Sequence, residues 1–123
     1  MSKTIILGIS GGIAAYKTPN LIRLLKSAGI NVQPLLTENA SQFVTKQTLE
    51  TVSENKIPES LFEDCEKSHL SLNKTADIFV IAPATANIIA KLAAGIADDI
   101  VSTSFLMFQG PKCIVPSMHT EMF

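Results

Sequence analysis

The sequence predicts an α/β domain built on an open, mostly parallel sheet. Three observations carry this. Short apolar runs recur along the chain, each closes in a turn of small or polar residues, and helical periodicity fills the stretches between them. Thr4 to Ile9 is the first run, with no polar alternation, as expected of a strand buried on both faces. It ends in Ser10-Gly11-Gly12. From Ile13 the period changes, and Ile13, Ala14, Leu21, Leu24 and Leu25 fall at helical spacing up to Gly29, a C-terminal cap. Pro19 predicts a kink in this helix or an early irregular turn. Asn31 to Leu36 completes a βαβ unit with a right-handed crossover.

Thr37-Glu38-Asn39 then offers capping side chains to a short helix near Ala40 to Val44. Lys46 to Ser53 is weakly helical. Glu54 to Ser68, polar and containing Pro58, reads mostly as loop. Ile78 to Ala82 is the third strand, ended by Pro83, and a helix follows from about Thr85 to Ala94, stopped by Gly95. Asp98 to Met107 is a further helical stretch. Lys112 to Val115 is the fourth strand, ended by Pro116. In open parallel sheets ligands bind beyond the carboxyl ends of the strands, so all four turns would lie along one functional edge.

Bulk composition excludes several classes. The 123 residues allow one domain, and 46% hydrophobic with 17% charged residues supports a packed core rather than disorder. A net charge of −1, without a basic cluster, argues against nucleic acid and membrane surfaces. Cys65 and Cys113 form no CxxC and have no nearby His at metal spacing, so neither a disulfide scaffold nor a metal site is expected. Free thiols fit a cytoplasmic location. No apolar run is long enough for a signal peptide or a membrane span.

Four motifs carry candidate chemistry. Gly8-Ile9-Ser10-Gly11-Gly12 lets backbone approach an anion, with the following helix dipole and the Ser10 hydroxyl as donors. It is neither GxGxxG nor a P-loop, and it reads equally as a plain strand-to-helix turn. Pro83-Ala84-Thr85-Ala86-Asn87 offers small residues to pack under a flat ring and hydrogen-bonding side chains to its heteroatoms; taken alone, Thr85 is more simply a helix N-cap. His69 is the best general-base candidate by its pKa range, although a lone His in a polar loop is more often solvated surface. Pro116 to Phe123 sets polar residues, His119 first, between two methionines at a strand end, where they can hold a substrate carboxylate or pack as a turn.

Their order is more specific than any one of them. ISGGIAAYKTP, a loop His, IAPATAN and VPSMHTEMF together resemble the flavin-containing cysteine decarboxylase family, in particular its phosphopantothenoylcysteine decarboxylases, over essentially the whole chain. The resemblance implies a three-layer Rossmann-like, flavodoxin-like fold that binds FMN at the sheet edge, between subunits of a trimer that often builds a dodecamer. It places Ser10, Gly11, Gly12 and Ile13 around the FMN phosphate, and Thr37, Glu38 and Asn39 near the flavin or ribityl chain. Thr85, Ala86 and Asn87 would contact the flavin, with Ser117 beside it. His69 matches the catalytic histidine, and Met118 and His119 the substrate-binding motif. The implied reaction decarboxylates 4′-phosphopantothenoylcysteine to 4′-phosphopantetheine in coenzyme A biosynthesis. Transient oxidation of the substrate's cysteine supplies the electron sink that a simple carboxylate lacks.

Two departures stand out. His119 replaces the commoner Asn; an imidazole still donates to a carboxylate, with a pH dependence. The family continues past the position of Phe123 with a strand, a helix and a flap carrying an active-site Cys, which neither Cys65 nor Cys113 matches. The expectation is therefore a single FMN-binding domain, C-terminally truncated, with no ligase domain following. Alternative readings are a peptidyl-cysteine decarboxylase, a flavin prenyltransferase of similar fold, and a non-catalytic flavin-binding regulatory subunit.

Overall fold

The computed structural model describes residues 3–58 and 75–117. Four strands form one sheet: β1 Thr4–Ile9, β2 Asn31–Leu36, β3 Ile78–Ala84 and β4 Lys112–Pro116. All pairings are parallel, in the order β2-β1-β3-β4. This order matches the first four strands of the flavodoxin-like 2-1-3-4-5 arrangement, whose switch point lies between β1 and β3. The helices that lie wholly within the described residues are α1 Thr18–Ser27, α2 Lys46–Ser53, α3 Ala86–Ala94 and α4 Ile100–Met107.

The strands separate two cores, because successive residues point to opposite faces. On one face Ile6, Phe79 and Ile81 pack with Ile88 of α3 and with Val101 and Phe105 of α4. The Phe79 ring meets Phe105 edge-on, centroids 5.3 Å apart. Gly8 shares this face, and a Cβ there would come within 2.9 Å of Val101 Cγ1, so the close approach of α4 requires glycine. On the other face Leu7, Ile9 and Val32 pack with Ile22 of α1 and Leu49 of α2. The expected three-layer α/β arrangement is therefore present.

Local expectations met the structure unevenly. Ile13–Lys17 is a 3₁₀ turn rather than the start of an α-helix, and α1 begins at Thr18. Pro19 lies in the first turn of α1, where an N–H has no intrahelical partner to lose, so it starts the helix instead of kinking it. Similarly, the short helix expected near Ala40 is a 3₁₀ turn, Asn39–Gln42, with the Ala40 N–H donating to Thr37 Oγ1 at 3.2 Å. Pro83 does not end β3. The strand continues to Ala84, opposite Pro116, after a register irregularity that follows Ile81. A proline has no ladder N–H to give, and the irregularity absorbs that loss. β4 likewise extends through Pro116. Gly95 ends α3 at φ 72°, in the left-handed region expected of a helix-ending glycine.

Candidate functional site

Three strand-ending turns converge at the switch point. Ser10 follows β1 and is almost fully buried. Its Oγ donates to the Pro83 carbonyl at 2.6 Å and accepts the Thr85 N–H at 3.0 Å. The Ser10 N–H also donates to the Pro83 carbonyl, at 3.3 Å. Ser10 thus stitches the end of β1 to the end of β3. A hydroxyl carries one proton, and here it is directed at the Pro83 carbonyl.

Gly11 and Gly12 hold the neighbouring turns close. A Cβ on Gly11 would lie 2.4 Å from Asn39 Cβ and 2.9 Å from the Asn39 carbonyl carbon. A Cβ on Gly12 would lie 3.3 Å from Thr85 Cγ2. The 37–39 turn is anchored in its own right, because the Thr37 N–H donates to the Ile9 carbonyl at 3.0 Å. Thr85 caps α3: its Oγ1 accepts the Ile88 N–H at 3.3 Å, and its carbonyl accepts the Ile89 N–H at 3.1 Å. The first-turn N–H groups of Ala86 and Asn87 have no intrahelical partner and lie at the positive end of the helix dipole.

Between these turns opens a cleft of about 250 Å³. Ser10 and Gly11 line it from the first turn, Thr37, Glu38 and Asn39 from the second, and Thr85 and Asn87 from the third. Seven expected cofactor residues are thereby brought together. Gly12, Ile13 and Ala86 do not line the cleft; Gly12 supports its wall, and Ile13 is 75% exposed. Ser117 lies apart from it, in a mainly apolar hollow with Lys17, Leu21, Pro83 and Val115 on the α1 side of the sheet. Its N–H donates to the Ala84 carbonyl at 3.0 Å. His69, Met118 and His119 lie outside the described residues.

Sequence reasoning missed a charged wall. Lys91, Asp98 and Asp99 also line the cleft. Lys91 Nζ lies 2.8 Å from Asp98 Oδ1 and 2.9 Å from Asp99 Oδ2. The two carboxylates, Asp98 foremost, raise the Lys91 ammonium above its ordinary value, against an opposing pull from burial. Asp99 caps α4, accepting the Ser102 N–H at 2.7 Å while its own N–H donates to Ser102 Oγ at 3.2 Å. Burial pushes the Asp99 carboxyl up, but the contacts with Ser102 and Lys91 outweigh it and hold the group below its ordinary range. The available signal was spacing: Lys91 stands four residues after Asn87 and so shares its helix face.

Gly11 lines the cleft where the turns meet, and the first turn of α3 offers N–H groups beside a threonine and an asparagine. These are the parts of an anion cradle at a helix N-terminus. No group of three or more His, Cys, Asp or Glu suited to a metal occurs among the described residues. No helix among them is long and apolar enough to cross a membrane.

Fold and site together define a flavodoxin-like α/β protein with a polar cleft at its switch point. The Flavoprotein family model matches residues 1–123, and the chain belongs to that family. It is 44% identical over 124 aligned residues to the coenzyme A biosynthesis bifunctional protein CoaBC of Escherichia coli K12, covering 98% of this chain and 30% of that protein. The chain thus spans less than a third of the length of the curated relatives it matches. Among solved structures, the FMN-dependent cysteine decarboxylase SpaF superposes with a TM-score of 0.87 at 30% identity, over 98% of this chain and 71% of SpaF. The decarboxylase TvaF, from thioviridamide biosynthesis, gives 0.89 at 28%, over 99% and 77%.

Proposed function

We propose that the chain is the FMN-binding part of a decarboxylase acting on 4′-phosphopantothenoylcysteine in coenzyme A biosynthesis. The observation that carries the reading is the convergence of Gly11, Thr37–Asn39, Thr85 and Asn87 on one cleft at the switch point. The 44% identity to CoaBC, against 30% to the cysteine decarboxylase SpaF, favours the coenzyme A substrate. At about 250 Å³ the cleft is smaller than the roughly 300–1,000 Å³ usual for small-molecule sites, so it suits one end of FMN rather than the whole.

In this reading the backbone at Gly11 and the first turn of α3 hold the phosphate, and Thr37, Asn39 and Asn87 orient the adjoining chain by hydrogen bonds. Bound there, FMN supplies reversible two-electron chemistry. Ser10 keeps the ends of β1 and β3 in register beneath the site. His69 acts as general base or orients the reacting group, and Met118 and His119 hold the substrate, with His119 donating to its carboxylate. A homo-oligomer, a trimer by family resemblance, is also proposed. Its support is the exposure of Ile13, Tyr16 and Leu24 at 75%, 58% and 62%, and light scattering of the purified chain tests it. A cytoplasmic setting fits the free, exposed Cys113.

The test has two stages. The purified chain should take up FMN with the visible absorbance of bound flavin, and a chain that stays colourless overturns the reading. Assembled with whatever further segments its longer relatives carry, it should release CO₂ from 4′-phosphopantothenoylcysteine. His69→Asn should retain the flavin spectrum and lose CO₂ release; equal activity in that variant removes His69 from the mechanism.

A further inference from the structure

The cleft carries more negative charge than a phosphate site tolerates without compensation. Among the described lining residues, Glu38, Asp98 and Asp99 contribute three carboxylates and Lys91 is the one cation. Lys91 reaches both aspartates at once, Asp98 at 2.8 Å and Asp99 at 2.9 Å, and all three side chains sit on the wall that continues from Asn87. Without the lysine, a phosphate would face uncompensated carboxylates in a partly desolvated cleft, where Coulomb repulsion is stronger than in bulk water.

We infer that Lys91 is a positioning residue that screens Asp98 and Asp99 and so makes the cleft selective for a phosphorylated flavin over an unphosphorylated one. This rests on the flavin reading above. Two of the ammonium's three N–H donors are held by the aspartates, which fixes the positive charge beside both carboxylates. A merely structural clamp, tying the start of α4 to α3, would matter equally to FMN and riboflavin. A charge screen matters only to the ligand that carries the phosphate.

The experiment titrates the full chain with FMN and with riboflavin, following quenching of flavin fluorescence. Wild type should prefer FMN. Lys91→Met should weaken FMN by about tenfold or more, leave riboflavin within about threefold, and lose less at high salt than at low salt. Lys91→Arg should keep the preference. Lys91→Met combined with Asp98→Asn should recover most of it, since one carboxylate has gone with the lysine while the Asp99 cap stays. Equal losses for both flavins in Lys91→Met, or no loss for FMN, overturn the inference. Should Lys91→Met fail to fold, Asp98→Asn alone decides: removing a carboxylate from the wall should strengthen FMN relative to riboflavin, and an unchanged or weaker preference overturns the inference. A wild-type chain that binds both flavins equally overturns it while leaving the flavin reading intact; one that binds neither overturns the flavin reading and this inference together.

Discussion

Gly11 shows how much of the site depends on one missing side-chain atom. An ideal Cβ there stands 2.9 Å from the Asn39 carbonyl carbon, and backbone cannot swing aside as the end of a long side chain can. Gly11→Ala should therefore push the 37–39 turn off the β1 end. The expected cost is about 1–3 kcal/mol of stability, read from the urea midpoint, with loss of flavin affinity in the same preparation; an unchanged midpoint and affinity would refute the contact. Ser10→Ala tests the tie from the same turn to the end of β3. It leaves the Pro83 carbonyl and the Thr85 N–H without their hydroxyl partner, at about 1–3 kcal/mol. Sequence made both residues legible as a small, polar turn. It did not reveal that Gly11 is fixed by Asn39 or that the Ser10 proton is spent on Pro83, because those partners come from other strands and only the sheet order brings them near. Lys91 was missed for a related reason. Its role depends on Asp98 and Asp99, which reach it only after Gly95 has turned the chain back.

Elements were more legible than contacts. All four strand positions followed from apolar runs, since a parallel sheet buried on both faces leaves little room for polar residues. The prolines misled because their effect depends on position: Pro19 costs nothing in a first turn, and Pro83 lies where the ladder is already irregular. The start of α4 supplies a prediction at this scale. Asp99 closes a reciprocal capping box with Ser102 and also pairs with Lys91, so Asp99→Ala should cost about 1 kcal/mol or more. Its pH dependence has a definite sign. The folded-state pKa lies below the ordinary 3.8, so the contribution is present above that value and is lost as pH falls through the lower folded one. Lys91 behaves conversely: its raised pKa keeps its contribution whole below 10.5 and loses it as pH rises beyond. At neutral pH both are intact. Urea midpoints measured from pH 7 down to about 2 should fall less steeply below about pH 4 in Asp99→Asn than in wild type. Parallel curves would show that Asp99 is not among the groups responsible.

For the whole molecule, the consequence lies in which strands the cleft joins. Its walls follow β1, β2 and β3, three adjacent strands of the four described, and the residues between them pack into both cores. A ligand held by all three turns is bound only when the sheet is assembled, so its binding energy adds to the stability of the fold rather than to one loop. Linkage then fixes the size of the effect. Free FMN at a hundred times its dissociation constant stabilises the folded state by about 2.7 kcal/mol, which for a domain of this size corresponds to a rise of roughly 10 °C in Tm. The expected result is one cooperative transition that moves upward with FMN concentration. Gly11→Ala should show little of that movement, because its turns no longer meet. A transition that splits in two, with only one part responding to FMN, would mean that the cleft belongs to a locally unfolding segment. A transition that does not move at any FMN concentration would mean that the three turns converge for folding alone.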